Sequence, residues 1–274
     1  MATVILLTDF SDSSRNALSY ACHLLPPDSI DLLLLNIYPT PFSFAGDGVA
    51  LVALKEALET NQIDLENELE WAAENFPTHS IRYKEVMGEF VSTLDQQFRE
   101  ESAVIVILGI PVNSNGIPLW ETDMLGVLTG LAVPVLTIPH NATYKPLLNI
   151  GFACKPENIK DYTPIEKIEK LVNFTKAKLH VVRVIPIGSD PITTAEGEVL
   201  LKEKLKNVAA DYYTIEGGNL LEHISSFIQE HAIDMLVIRP RKYGIWYKLF
   251  HKDHSRQLAT LGMIPVLALH EADK

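Results

Sequence analysis

Short runs of Val, Ile and Leu alternate along this chain with longer stretches whose apolar residues recur every three or four positions. An unbroken apolar run of strand length marks a strand buried on both faces, and the helical spacing marks an element that covers such a sheet. The pattern predicts strands at 3–8, 31–37, 80–86, 103–108 and 134–138. Helices are predicted at about 12–25, 48–75, 90–101 and 120–131. Ser13 or Asp12 suits the cap of the first helix, because short oxygen-bearing side chains satisfy the unpaired N–H groups of a first turn.

From residue 147 the series begins again. Strands fall near 147–153, 178–185, 209–214, 234–238 and 265–269, with helices near 162–176, 195–207, 218–231 and 253–262. Such a repeat predicts an α/β protein of two tandem doubly wound domains, each a mainly parallel five-stranded sheet with helices on both faces. Gly88 answers Gly217, the strand 104–108 answers 235–238, and Pro134-Val135-Leu136 answers Pro265-Val266-Leu267. Asp9 lies about seventeen residues further from Gly88 than its counterpart Lys155 lies from Gly217, a loss assigned mainly to the second helix. The polar, proline-bearing segment 141–146 is the expected boundary, giving domains 1–143 and 144–274.

With 35 acidic and 23 basic residues the 274-residue chain carries a formal charge of -12, so its field repels nucleic acid and anionic lipid. The apolar run from Val4 to Leu7 is too short for a signal segment and meets Asp9 at once. No stretch approaches the ~20 apolar residues of a membrane span. Cys22 and Cys154 form no framework and read as small core residues in a reducing compartment. A cytoplasmic protein with no nucleic-acid or membrane partner is expected.

The opening Val4-Ile5-Leu6-Leu7-Thr8-Asp9-Phe10-Ser11, the strand from Leu32 to Tyr38, the Gly88 turn and the closing Pro-Val-Leu strand together resemble the universal stress protein family in its tandem two-domain form. The resemblance covers almost the whole chain and implies an adenine nucleotide alpha hydrolase-like fold with a role in stress response. It also implies a ligand site. Nucleotide-binding members place adenosine against the carboxyl ends of strands one and two, and hold the phosphates on a Gly-x2-Gly-x9-Gly-Ser/Thr loop after strand four. The physics is general: glycines let backbone N–H groups approach phosphate oxygens beyond the strand ends.

Carried onto copy one, Asp9 matches the strand-one aspartate, Ile37 the apolar residue ending strand two, and Gly109 the first loop glycine. Counting back thirteen residues from Pro134 puts the last pair of the motif at Glu121-Thr122. There the pattern departs: Val112 and Glu121 replace glycines and the loop is one residue short. A register through Asn113, Gly116 and Gly126-Val127 restores the spacing but leaves seven residues before Pro134, too few for the last helix. Copy two reads Arg239, Lys242, Lys252 and Asp253, with Lys155 in place of the aspartate. Side chains in that loop argue against a phosphate cradle. The resemblance thus implies a degraded nucleotide loop in both copies. It leaves a weak crevice at Asp9, Ile37, Gly109 and Thr122 for ATP or another adenine nucleotide, and no cofactor is firmly implied. The cations Lys155, Arg239 and Lys242, beside Arg241 and Lys252, read either as an anion site or as charges paired internally, with Asp253 for one.

No nucleophile elbow, P-loop or dinucleotide fingerprint occurs. His251 and His254 flank Asp253 and read as a solvated helix start rather than metal ligands. Glu56, Glu59, Glu66, Glu68 and Glu70 read as the wet face of a long helix. Trp71, Phe76 and Trp120 read as packing anchors, and Trp246-Tyr247 with Phe250 as a lid or interface. The expectation is a non-catalytic binding or regulatory protein. Its copies pair through their last strands, a homodimer is left open, and the protein partner is unidentified. The rival readings are an ATP-binding protein with weak hydrolysis in copy one and a ligand-free interaction scaffold.

Overall fold

The computed structural model describes residues 1–38, 48–112, 127, 131, 133–154, 164–185, 190–217, 220–239 and 264–270, with the backbone alone at 48–61, 191, 193, 194, 220 and 221. The first half supplies β1 (Ala2–Leu7), α1 (Asp12–Leu24), β2 (Ile30–Tyr38), α2 (Gly48–Asn75), β3 (Ser80–Met87), α3 (Phe90–Glu100), β4 (Ile105–Ile110) and β5 (Val135–Pro139). The second supplies β6 (Asn149–Cys154), α4 (Ile165–Thr175), β7 (Lys178–Ile185), α5 (Pro191–Lys204), β8 (Ala210–Glu216), α6 (Leu220–Glu230), β9 (Met235–Ile238) and β10 (Val266–Ala268). The helices expected at 120–131 and 253–262 lie outside the described residues, apart from Val127 and Leu131, which are buried.

Among the described residues the ten strands make one sheet in the order β3-β2-β1-β4-β5-β10-β9-β6-β7-β8. Its two ends mirror each other. All neighbours are parallel except β5 and β10, which run antiparallel with Leu136 opposite Leu267. Leu32, Leu33, Leu34 and Leu35 of β2 are all fully buried, so both faces of the sheet are covered, as the unbroken leucine run requires. One core lies under α1, α2, α4 and α5 through residues such as Leu18, Ala72, Ile168 and Leu201. The other lies under α3 and α6 through Leu94, Ile224 and Phe227. Both cores draw residues from both halves.

The halves repeat each other down to single hydrogen bonds. Gly88 N–H donates to the Tyr38 carbonyl at 3.0 Å and Gly217 N–H to the Ile185 carbonyl at 3.1 Å. Val106 donates to Pro134 at 2.9 Å and Leu236 to Pro265 at 3.0 Å. Ser102 and Ala232 enter the fourth strand of each half with left-handed φ of 48° and 46°. The halves differ most at the second helix, 28 residues in α2 and 14 in α5. That helix of the second half begins at Pro191 rather than 195, because proline carries a pre-set φ and loses nothing at a first helical position, where its missing N–H has no partner.

Candidate functional site: a crevice at the carboxyl ends of β1, β2 and β4

Between β1 and α1 the chain turns through Phe10, whose φ of 61° is left-handed. Local hydrogen bonds hold that turn. Asp9 Oδ1 accepts the Ser11 N–H at 3.0 Å and Thr8 Oγ1 accepts the Phe10 N–H at 3.1 Å. Ser11 caps α1, its Oγ accepting the Ser14 N–H, so the cap falls one residue before Asp12 and two before Ser13. Thr8 Oγ1 donates to Ser14 Oγ at 3.3 Å, and Ser14 Oγ donates onward to the Ser11 carbonyl at 2.9 Å. Asn36, a lone amide in the leucine-rich β2, is buried and donates to the Thr8 carbonyl at 2.8 Å. It fixes the carboxyl end of β1 against that of β2.

These groups surround a crevice of about 270 Å³, close to the lower size of ligand pockets, which begins near 300 Å³. Asp9, Ile37 and Gly109 line it together, with Leu35 and Phe90 on its apolar side. Thr122 lies outside the described residues. Sequence reasoning passed over Ser11, Ser14 and Asn36, which also line the crevice; the signals were a Ser-x-x-Ser spacing before an apolar run and one amide inside a buried strand.

Gly109 sits within β4, paired with Ile138, and not in a loop after it, because the ladder continues one rung further to Ile110 and Pro139. A Cβ there would lie 2.2 Å from the Ser13 carbonyl oxygen, so β4 passes hard against the first turn of α1. Close strand–helix packing is therefore one reason for this glycine.

The matching ladders place Cys154 where the first half has Thr8, Arg183 where it has Asn36, and Arg239 where it has Gly109. Arg183 pairs with Glu198 of α5 and donates to Thr214 Oγ1 at 2.6 Å, so its guanidinium is bound to its own half. Lys155 and Lys242 lie outside the described residues, as do His251, His254, Trp120 and the Trp246-Tyr247 pair. Burial pushes the thiols of both Cys22 and Cys154 up to about 12, which keeps them protonated and poor nucleophiles. Glu68 departs from the wet-face reading. It is 1% exposed, and its Oε2 accepts from Arg15 Nε at 2.7 Å, because α1 packs across that face of α2. Trp71 and Phe76 pack edge to face at 5.8 Å beside the core.

The fold has known counterparts. A universal stress protein from Archaeoglobus fulgidus DSM 4304 matches over 99% of this chain and 97% of its own, with a TM-score of 0.66 at 16% identity. A putative universal stress protein from Pseudomonas aeruginosa UCBPP-PA14 matches over 98% and 93%, with a TM-score of 0.56 at 15% identity. The cytoplasmic domain of a prokaryotic cation chloride cotransporter matches over 97% and 94%, with a TM-score of 0.51 at 11% identity. No protein-family model and no curated protein matches the sequence. The chain therefore has the universal stress protein fold. That fold also serves in a transporter's cytoplasmic domain, so function has to be argued from the site.

Proposed function

We propose that this chain is a non-catalytic binding or regulatory protein of the universal stress protein type, with one small-molecule crevice in the first half and a degraded phosphate loop in both halves. The observation that carries this reading is the convergence of Asp9, Ile37 and Gly109 on one crevice, while the equivalent glycine position of the second half holds Arg239. The hydroxyls of Thr8 and Ser14 support a binding role, since both spend their protons on the turn rather than on a base that would activate them. The second copy, residues 144–274, serves chiefly as the structural partner of the first, residues 1–143. No described helix is long and apolar enough to cross a membrane, and a cytoplasmic setting is part of this proposal.

Calorimetry with ATP tests the reading. Little heat is expected at sub-millimolar ATP, because two of the three loop glycines of copy one and all those of copy two are replaced. A dissociation constant in the low micromolar range overturns it, and loss of that affinity in Asp9→Ala would then place a true nucleotide site in copy one. Mass spectrometry of ligand released from the purified chain identifies what the crevice carries.

A further inference from the structure

A second cavity, about 310 Å³, opens where the two halves meet. Tyr20 of α1 lines it together with residues 141–143 and Lys145 of the connection, and the entries to β9 and β10 close it at Asp234 and Pro265. Two of its side chains, Lys145 and Asp234, carry opposite charges, and among the described residues no ion pair joins them. Asp234 and the start of the connection that carries Lys145 are held by their surroundings. Asp234 Oδ2 accepts the N–H groups of Leu148 and Asn149, each at 2.8 Å, which leaves Oδ1 without a donor among the described residues. Asn16 Nδ2 donates to the carbonyls of Pro139 and Ala142 at 3.0 and 3.1 Å, so the connection that carries Lys145 leaves β5 on a fixed path.

Tyr20 adds a donor. Its side chain is 3% exposed, and burial, followed by the nearby Tyr144 and Asp234, raises its phenol well above the ordinary value. It therefore remains an O–H group throughout the physiological range. The fold does not impose these features, because the corresponding corner of the first half is built differently. Val104 stands at the position of Asp234, and the buried His270 lies with Nδ1 2.6 Å from the Val133 carbonyl oxygen.

Opposite charges kept apart in a roomy, polar cavity complement a small molecule that carries both signs. We propose that the seam cavity binds a free α-amino acid, its ammonium on Asp234, its carboxylate on Lys145, and the Tyr20 hydroxyl donating between them. Sites between packed units are common places for small ligands, and a ligand here would touch both halves at once.

Thermal unfolding of the full chain in the presence of each standard L-amino acid, against sodium chloride of equal concentration, tests this. A ligand that binds only the folded state raises the midpoint. At least one small polar amino acid should do so, and the rise should vanish in Lys145→Met and in Asp234→Asn. It should vanish also when the same amino acid is offered as its amide or its N-acetyl derivative. Lys145 is exposed, so its variant folds in any case, and Asp234→Asn keeps an oxygen for the two backbone donors. No stabilisation beyond chloride by any amino acid overturns the proposal, and so does a rise that persists in either variant.

Discussion

Gly109 and His180 show how one side chain, or the lack of one, sets local behaviour. A methyl group at 109 would meet the Ser13 carbonyl carbon at 2.5 Å, and that backbone cannot yield without moving the start of α1. Gly109→Ala is therefore expected to cost about 2 kcal/mol, the usual scale of overpacking, and to lower the melting midpoint by several degrees. An unchanged midpoint would refute the packing account. His180 is buried, with Nε2 3.0 Å from Asn149 Oδ1, Nδ1 3.3 Å from the Tyr213 hydroxyl, and its ring 5.6 Å from that of His231. Burial first, then Lys178 and His231, lower its pKa, with Asp211 opposing. The unfolded chain then binds more protons than the folded one as pH falls past the ordinary histidine value, about 6.5. Stability from this group is complete above that value and declines below it. Urea midpoints at about pH 7.5 and about pH 5.5 should fall further apart in the native chain than in His180→Gln. Equal slopes would assign the acid sensitivity elsewhere.

Helix α2 is joined to α1 by a contact that its own sequence does not advertise. Arg15 reaches Glu68 Oε2 through Nε and Nη2 at 2.7 and 2.6 Å while its guanidinium lies 5.2 Å from the Trp71 ring centroid. Arg15→Met would strand a carboxylate that is 1% exposed, at a cost of about 2 kcal/mol, whereas Glu68→Gln keeps an acceptor for Arg15 and should cost less. Denaturant titration ranks the two, and a loss under about 0.5 kcal/mol for Arg15→Met would show that the pair adds nothing. Residues 66, 68 and 70 look alike in sequence, and the partner of Glu68 lies 53 positions away, so local periodicity cannot separate it from its solvated neighbours. The elements themselves were legible for the opposite reason. A leucine run buried on both faces and a helix that covers it are local patterns, and they mark β2 and α2 directly. For the crevice, position relative to strand ends was readable at Asp9 and Ile37, whereas Gly109, expected just after the fourth strand, lies inside it because the ladder runs on to Ile110 and Pro139. The amide of Asn36 acts across to the next strand, a relation that only the assembled sheet reveals.

At the scale of the whole molecule, charge and strand pairing oppose each other within the first half. Residues 1–143 hold 19 acidic and 5 basic side chains and residues 144–274 hold 16 and 18, so the formal charges are -14 and +2. The seam that joins them is β5 against β10, where Thr137, fully buried, also donates from Oγ1 to the Val266 carbonyl at 3.3 Å. Cutting the chain after residue 143 would expose β5 as an apolar edge, and such an edge templates pairing with another strand. Since β10 already runs antiparallel to β5, a second β5 can take its place about a two-fold axis, with Leu136 opposite Leu136 and Val135 opposite Thr137. Two fragments each carrying -14 repel, and that repulsion is screened over about 10 Å at 0.1 M salt but about 3 Å at 1 M. Fragment 1–143 is therefore expected to sediment increasingly as a dimer, or to aggregate, as salt rises. Mixed with fragment 144–274, it should pair across the native seam even at low salt, because a partner of charge +2 adds no repulsion. A fragment 1–143 that stays a monodisperse monomer at about 1 M salt would show that β5 does not need a partner strand, and that the two halves are held together by something other than their sheet edges.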